Sequence, residues 1–133
     1  MEVKRIQFND VEALVKLGKR ERVTFANPPG ALWWGVFLQE KIVACAALVV
    51  KQGKRGLVGR FKSDYVLPEY RGKGVYRAMF QARLEDAVSW GLVEGTAFCT
   101  PMSVHQYNKS GFKTIRMTGV KGDIAFVRAK FKG

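Results

Sequence analysis

Two spacings of apolar residues alternate along this 133-residue chain, and the points where one gives way to the other mark out its elements. Val3 to Phe8 alternates as a strand does. Asp10 is then placed as the N-cap of a helix running to about Arg22, with Val11, Leu14, Val15 and Leu17 on its apolar face. Asn27-Pro28-Pro29-Gly30 breaks regular structure, and Ala31 to Leu38, which contains Trp33 and Trp34, resumes as a strand. Gln39-Glu40-Lys41 turns the chain into Ile42 to Lys51, whose nearly unbroken apolar run predicts a central strand covered on both faces. A basic turn, Gln52-Gly53-Lys54-Arg55-Gly56, precedes a further strand that ends at Leu67.

Helical spacing returns from Val75 to Trp90. It predicts Val75, Ala78, Met79, Ala82 and Val88 as buried, Arg77, Glu85 and Asp86 as solvent-facing, and Gly91 as the stop. Leu92 to Thr100 is the next strand. Pro101, whose missing N–H costs nothing at a first helical position, opens a short helix carrying His105 and Tyr107. Phe112 to Lys132 reads as a closing hairpin that turns at Lys121-Gly122-Asp123, with Gly133 as a frayed end. A meander of hairpins followed by crossover helices predicts one α/β domain over residues 1–133 with a mixed sheet.

Composition narrows the class. An apolar fraction of 47% excludes a disordered chain. No segment is apolar for long enough to cross a bilayer, and Met1-Glu2-Val3-Lys4-Arg5 lacks an apolar signal region, so a soluble cytoplasmic protein without a membrane partner is expected. Cys45 and Cys99 lie in apolar runs without metal-ligand spacing and His105 is the single histidine, which predicts buried free thiols and no metal site.

The formal charge of +12 falls in two blocks. Residues 51–74 hold Lys51, Lys54, Arg55, Arg60, Lys62, Arg71 and Lys73 against Asp64 and Glu69, and residues 101–133 are as one-sided. Such charge suits solubility and a polyphosphate ligand, or else a nucleic acid or other acidic partner. Phe61, Tyr65, Tyr70, Phe126 and Phe131 interleave with the cations, as core residues or as stacking surfaces for bases.

Between the strand ending at Leu67 and the helix starting at Val75 lies Pro68-Glu69-Tyr70-Arg71-Gly72-Lys73-Gly74. Gly72 and Gly74 let backbone N–H groups converge without a Cβ in the way, the new helix points its positive end at the same spot, and Arg71 and Lys73 add formal charge. Such a nest suits a pyrophosphate. The same two glycines also suit an ordinary turn that caps a surface helix.

A second stretch, Tyr107-Asn108-Lys109-Ser110-Gly111-Phe112, completes a pattern. Val66-Leu67-Pro68 with Arg71-Gly72-Lys73-Gly74-Val75-Tyr76, followed by this Tyr-x-Lys-x-Gly-Phe, resembles the GNAT superfamily of acetyl-CoA-dependent N-acetyltransferases. The match runs from about Tyr65 to Phe112. Tyr76 stands where the family has Gly or Ala, and Thr100 where it commonly has Asn. The resemblance implies a GNAT-like domain: a mostly antiparallel mixed sheet with helices on both faces and a splayed central strand pair. A second helix usual before the strand Ala31 to Leu38 is short or absent here, which trims the acceptor-binding wall. It further implies that acetyl-CoA lies against Tyr65, Val66, Leu67, Arg71, Gly72, Lys73, Gly74, Val75, Tyr76, Thr100 and Tyr107, with no metal.

The chemistry implied is direct attack of a neutral amine on the thioester, with Tyr107 as the acid that protonates the leaving thiolate. Tyr107 otherwise only packs its helix against the sheet. Asp64, two residues before Val66 on one strand face, is the first candidate base, ahead of Glu69, Glu94, His105 and water; a solvated partner of Lys62 or Arg60 is its other reading. Cys99 has no neighbouring base to make it a nucleophile. The acceptor is an amine of unspecified kind, and the chain is a monomer or a homodimer. Alternatives on the same fold are a nucleobase-modifying enzyme, a nucleic-acid-binding protein and a non-catalytic CoA-binding module.

Overall fold

A computed structural model describes residues 1–18 and 21–131. Its strands are β1 (Glu2–Ile6), β2 (Ala31–Leu38), β3 (Lys41–Gly53), β4 (Gly56–Val66), β5 (Glu94–Cys99), β6 (Lys113–Thr118) and β7 (Ile124–Lys130). The helices are α1 (Phe8–Leu17), α2 (Val75–Ser89) and α3 (Val104–Lys109). The strands form one sheet in the order β1-β2-β3-β4-β5-β7-β6, mixed α/β as expected. Every neighbouring pair is antiparallel except β4 and β5, which run parallel because α2 carries the chain back between them.

Adjacent residues on a strand point to opposite faces, and Trp33 and Trp34 show what covers each. Trp33 packs 5.5 Å from the ring of Phe8 on α1, while Trp34 donates its indole N–H to Asp86 of α2 at 2.8 Å. Both indoles are buried, and so is every residue from Ile42 to Leu48 on β3, which lies between the two helical layers. Among the described residues no α-helix lies between α1 and β2, and none is long and apolar enough to cross a membrane.

Several element boundaries differ from the expectation. α1 begins at Phe8 because Gln7, not Asp10, is its N-cap; Asp10 sits inside the first turn and accepts the Gln7 backbone N–H at 3.1 Å. The predicted continuation to Arg22 crosses Lys19 and Arg20, outside the described residues, as are Lys132 and Gly133 at the end of the hairpin. α3 begins at Val104 rather than Pro101, since Thr100 first accepts the Ser103 and Val104 N–H groups in a turn. On α2 the buried stripe is Val75, Met79, Phe80, Arg83 and Ala87, which turns Val88 outward to 43% exposure and half-buries Asp86.

The feature that creates the site is where β4 and β5 part. They pair only at Val58 with Glu94, Gly59 with Gly95, and Arg60 with Thr96. Beyond that point β4 carries a bulge: Lys62 faces Ala47 and Tyr65 faces Cys45, with Ser63 at φ +60° inside the extra residue. The bulge resets the alternation, so that Phe61 and Asp64 face α2 while Tyr65 faces the α1 side.

Candidate active site

The fork opens on a cavity of about 480 Å³. One wall is the end of β4, with Asp64, Tyr65 and Val66; a second is the entry to α2, with Arg71, Gly72, Gly74, Tyr76 and Arg77; a third is Thr100, Met102 and Ser103 after β5. Of the residues expected to hold acetyl-CoA, Leu67, Lys73, Val75 and Tyr107 do not line it. Leu67, Val75 and Tyr107 are buried in the core behind the wall, and Lys73 reaches over the ring of Tyr70 at 5.8 Å.

At the α2 entry, Gly72 and Gly74 have φ of +74° and +81°, a region costly for other residues, and a Cβ added at either would meet no atom within 4 Å. The space in front of these two backbones is therefore open. No side chain caps the helix, and the N–H groups of its first turn have no intrahelical partners. An anion held there would meet the positive end of α2. Arg71 does not contribute its charge in the way expected: its Nε donates to the Val66 carbonyl at 3.0 Å and its Nη2 to Glu21 at 2.7 Å. Glu21 also accepts the Tyr65 hydroxyl at 2.8 Å, and these bonds, that from Arg71 foremost, lower the pKa of its carboxyl.

Behind the cavity a polar cluster occupies the fork. Arg83 of α2 is wholly buried and reaches Asp64 with both terminal nitrogens, Nη1 to Oδ1 at 2.6 Å and Nη2 to Oδ2 at 3.0 Å. Its Nη1 also donates to the carbonyls of Ala47 at 2.9 Å and Lys62 at 3.4 Å, acceptors beside the bulge. Arg83 thus fills the place where the ladder between β3, β4 and β5 is broken. Asp64 Oδ2 accepts two further bonds, from Tyr76 at 2.6 Å and Tyr107 at 2.8 Å, and the Tyr107 oxygen accepts from Arg83 Nη2 at 3.2 Å. Phe61 and Phe80 lie 4.9 and 5.3 Å from the guanidinium and close off its sides.

Asp64 is accordingly not a solvated partner of Lys62 or Arg60. Its side chain is 10% exposed and meets the cavity, with Arg83 as counter-ion. Tyr76 lines the cavity with its hydroxyl donated to Asp64, while the space in front of the Gly74 backbone is open. Thr100 remains on the cavity wall, its hydroxyl 3.3 Å from that of Ser103. Burial pushes the Cys99 thiol up to about 11, so it is a thiol and not a thiolate at neutral pH.

Three tyrosines are perturbed in one direction. Burial first, and then the Glu21 bond, raises Tyr65 to about 12. Burial followed by the Asp64 charge raises Tyr76 further, and burial lifts Tyr107 well above the ordinary phenol despite the opposing pull of Arg83. All three protons are held more tightly folded than unfolded, where a phenol ionises near ~10. Their contribution to stability is thus complete below pH ~10 and is lost as pH rises through the folded values. Phenolate absorbance followed during alkaline titration should show Tyr65 ionising near 12 and Tyr76 and Tyr107 only on unfolding. Ionisation of all of them near 10 in folded protein would contradict the network.

Arg83 and Glu21 were not legible as site residues. Glu21 lies in a segment without a motif, whereas Arg83 left a trace: it falls four residues after Met79 on the apolar stripe, where a cation requires a buried partner.

The sequence matches the model of the acetyltransferase (GNAT) family over residues 5–112. The chain belongs to the GNAT acetyltransferase family. Acetyl-CoA-dependent acetyl transfer is the general activity of that family. By sequence alone, no curated protein matches the chain. Among solved structures, the PaiA N-acetyltransferase of Thermoplasma acidophilum, in complex with coenzyme A, is 14% identical with 98% of each chain covered and a TM-score of 0.76. The ribosomal-protein-S18-alanine N-acetyltransferase of Escherichia coli is 13% identical, covering 99% of this chain and 94% of its own, with a TM-score of 0.78. An acetyltransferase of Trypanosoma brucei is 20% identical over 89% and 96% of the two chains, with a TM-score of 0.73. At these identities the likeness establishes the GNAT fold.

Proposed function

We propose that this GNAT protein transfers the acetyl group of acetyl-CoA to an amine by direct attack on the thioester, without a covalent enzyme intermediate. The observation that carries the proposal is that the open backbone at Gly72 and Gly74 and the Asp64 carboxylate face one cavity. Coenzyme A fits the first of these by its diphosphate, and the complex of the Thermoplasma acidophilum PaiA enzyme with coenzyme A supports the assignment. Acetyl-CoA supplies an activated acyl group with a thiolate as leaving group.

The side chains then have defined proton roles. Asp64 Oδ1 carries one donor, Arg83 Nη1, and has room for a second; there it accepts the proton that the amine loses. Tyr107 lies behind the cavity wall and donates its hydroxyl to Asp64 Oδ2, so it acts on the reaction through that carboxylate, and its raised pKa keeps it in the protonated form that this bond needs. Arg83 Nη2, 3.2 Å from the phenol oxygen, orients that hydroxyl toward Asp64. Asp64 Oδ1 then gives the amine's proton to the leaving thiolate, which restores the carboxylate, while Tyr107 keeps its own proton in the 2.8 Å bond to Oδ2. Tyr76 gives Oδ2 a further bond beside those from Arg83 and Tyr107 and helps to fix the carboxylate in place.

Tyr107→Phe separates this role from packing. Loss of its charge-assisted bond to Asp64 is expected to lower kcat by about tenfold or more, with the KM for acetyl-CoA nearly unchanged. The readout is thiol release from acetyl-CoA with a panel of small amines and N-terminal peptides. Turnover equal to the parent enzyme would show that the phenol takes no part in the proton transfer, and turnover with none of the amines despite tight acetyl-CoA binding would favour a CoA-binding module.

A further inference from the structure

We propose that the open face of the sheet across β4, β5, β7 and β6 binds single-stranded nucleic acid. On β5 and β7 burial alternates strictly: Gly95, Ala97 and Cys99 and their partners Ala129, Val127 and Ala125 are buried, while the residues between them are exposed or half-exposed. α2 and α3 lie on the buried side and α1 packs on β3, so among the described residues no helix lies over the other side of these strands.

The pairing register sets out two rows on that side. Arg60, Thr96, Arg128 and Lys113 stand side by side across four strands, and Phe98, Phe126 and Arg116 follow in the next row. Phe98 is 46% exposed, and its ring lies 4.9 Å from that of Phe126. Arg60 sits 5.3 Å over Phe98 and Arg116 sits 4.4 Å over Phe126. Two adjacent rings flanked by guanidinium groups form a surface on which unpaired bases stack while the cations take the phosphates. Glu94, an anion at the edge of this face, is already paired with Arg128 at 3.8 Å.

Charge selects this occupant over the others. A second copy meeting this face about a twofold axis would set arginines against arginines. An acidic peptide satisfies the cations but offers no flat π surface to the two phenylalanines. The protein's net charge of +12 adds long-range attraction for a polyanion.

The test is fluorescence anisotropy of the whole protein with a labelled single-stranded RNA or DNA of about 16 nucleotides, and with the matching duplex. The single strand should bind more tightly than the duplex. With four phosphates contacted, the affinity should fall about 50-fold between roughly 50 and 200 mM salt. Phe98→Ala with Phe126→Ala should weaken binding by about tenfold or more, and Arg116→Ala should flatten the salt slope, while acetyl-CoA binding stays unchanged in both. Lys16→Ala on α1 should have little effect. No binding at low salt would overturn the proposal, as would equal losses from Lys16→Ala and Arg116→Ala or a preference for the duplex. Concentration-dependent dimerisation abolished by the phenylalanine substitutions would assign the face to a second copy instead.

Discussion

Arg83→Met is expected to destabilise the protein by about 3–5 kcal/mol, the range found when one partner is removed from a buried ion pair. The guanidinium is fully buried, bonds to both oxygens of Asp64, and holds the carbonyls of Ala47 and Lys62. A thioether of similar length keeps the contacts with Phe61 and Phe80 but leaves the carboxylate without a counter-ion in a site that is 10% exposed. A domain is stable by only about 5–15 kcal/mol in total, so a loss of this size lowers Tm by about 10 °C or more. Urea denaturation of the single variant beside Arg83→Met with Asp64→Asn gives the decisive comparison. Neutralising the orphaned charge should recover part of the loss, because an amide can still accept the bonds of Tyr76 and Tyr107. A double variant no more stable than the single one would show that the pair's charge is not what Arg83 answers.

That cluster also marks the limit of what could be read in the chain. Strand β2 has the bounds its apolar run implies, the unbroken run on β3 is covered on both faces, and α2 starts at Val75 as its spacing requires. These features are local: period and turn residues specify them without reference to the rest of the fold. The bulge at Ser63 is not local. It depends on how β4 meets β3 and β5, and it decides which way Asp64 points. Arg83 was obscured for a related reason, since helix patterning assigns charge to the solvent side and only the neighbouring strand reveals a buried carboxylate. The strand order shows the same limit, because β7 and not β6 lies beside β5 although the hairpin itself is plain in the sequence. At the site, the glycine nest was legible because backbone freedom is written in residue type, whereas the Glu21 contact that draws Arg71 aside was not.

Gly74→Glu is expected to remove acetyl-CoA binding while the protein stays folded. Gly74 is the N-cap of α2 with φ +81°, and a side chain there projects into open space in front of the helix rather than into the core. The backbone strain for a residue with a Cβ is about 1–3 kcal/mol, and it is offset in part because a carboxylate at a helix N-terminus is favourable by about 0.3–1 kcal/mol. The same attraction makes the substitution destructive to binding. The introduced carboxylate becomes a resident anion, takes the N–H groups that a diphosphate would use, and repels what it does not displace. Losing two or more charge-assisted hydrogen bonds corresponds to an affinity at least about 100-fold weaker. Gly74→Ala carries the strain without the charge and should lose much less, so the difference between the two isolates the anion. Calorimetric titration of acetyl-CoA at low and moderate salt measures both. Added salt should screen the repulsion and narrow the gap between the variants. Affinity of Gly74→Glu within a few-fold of the parent would place the diphosphate elsewhere and would detach the nest from the cavity that Asp64 faces.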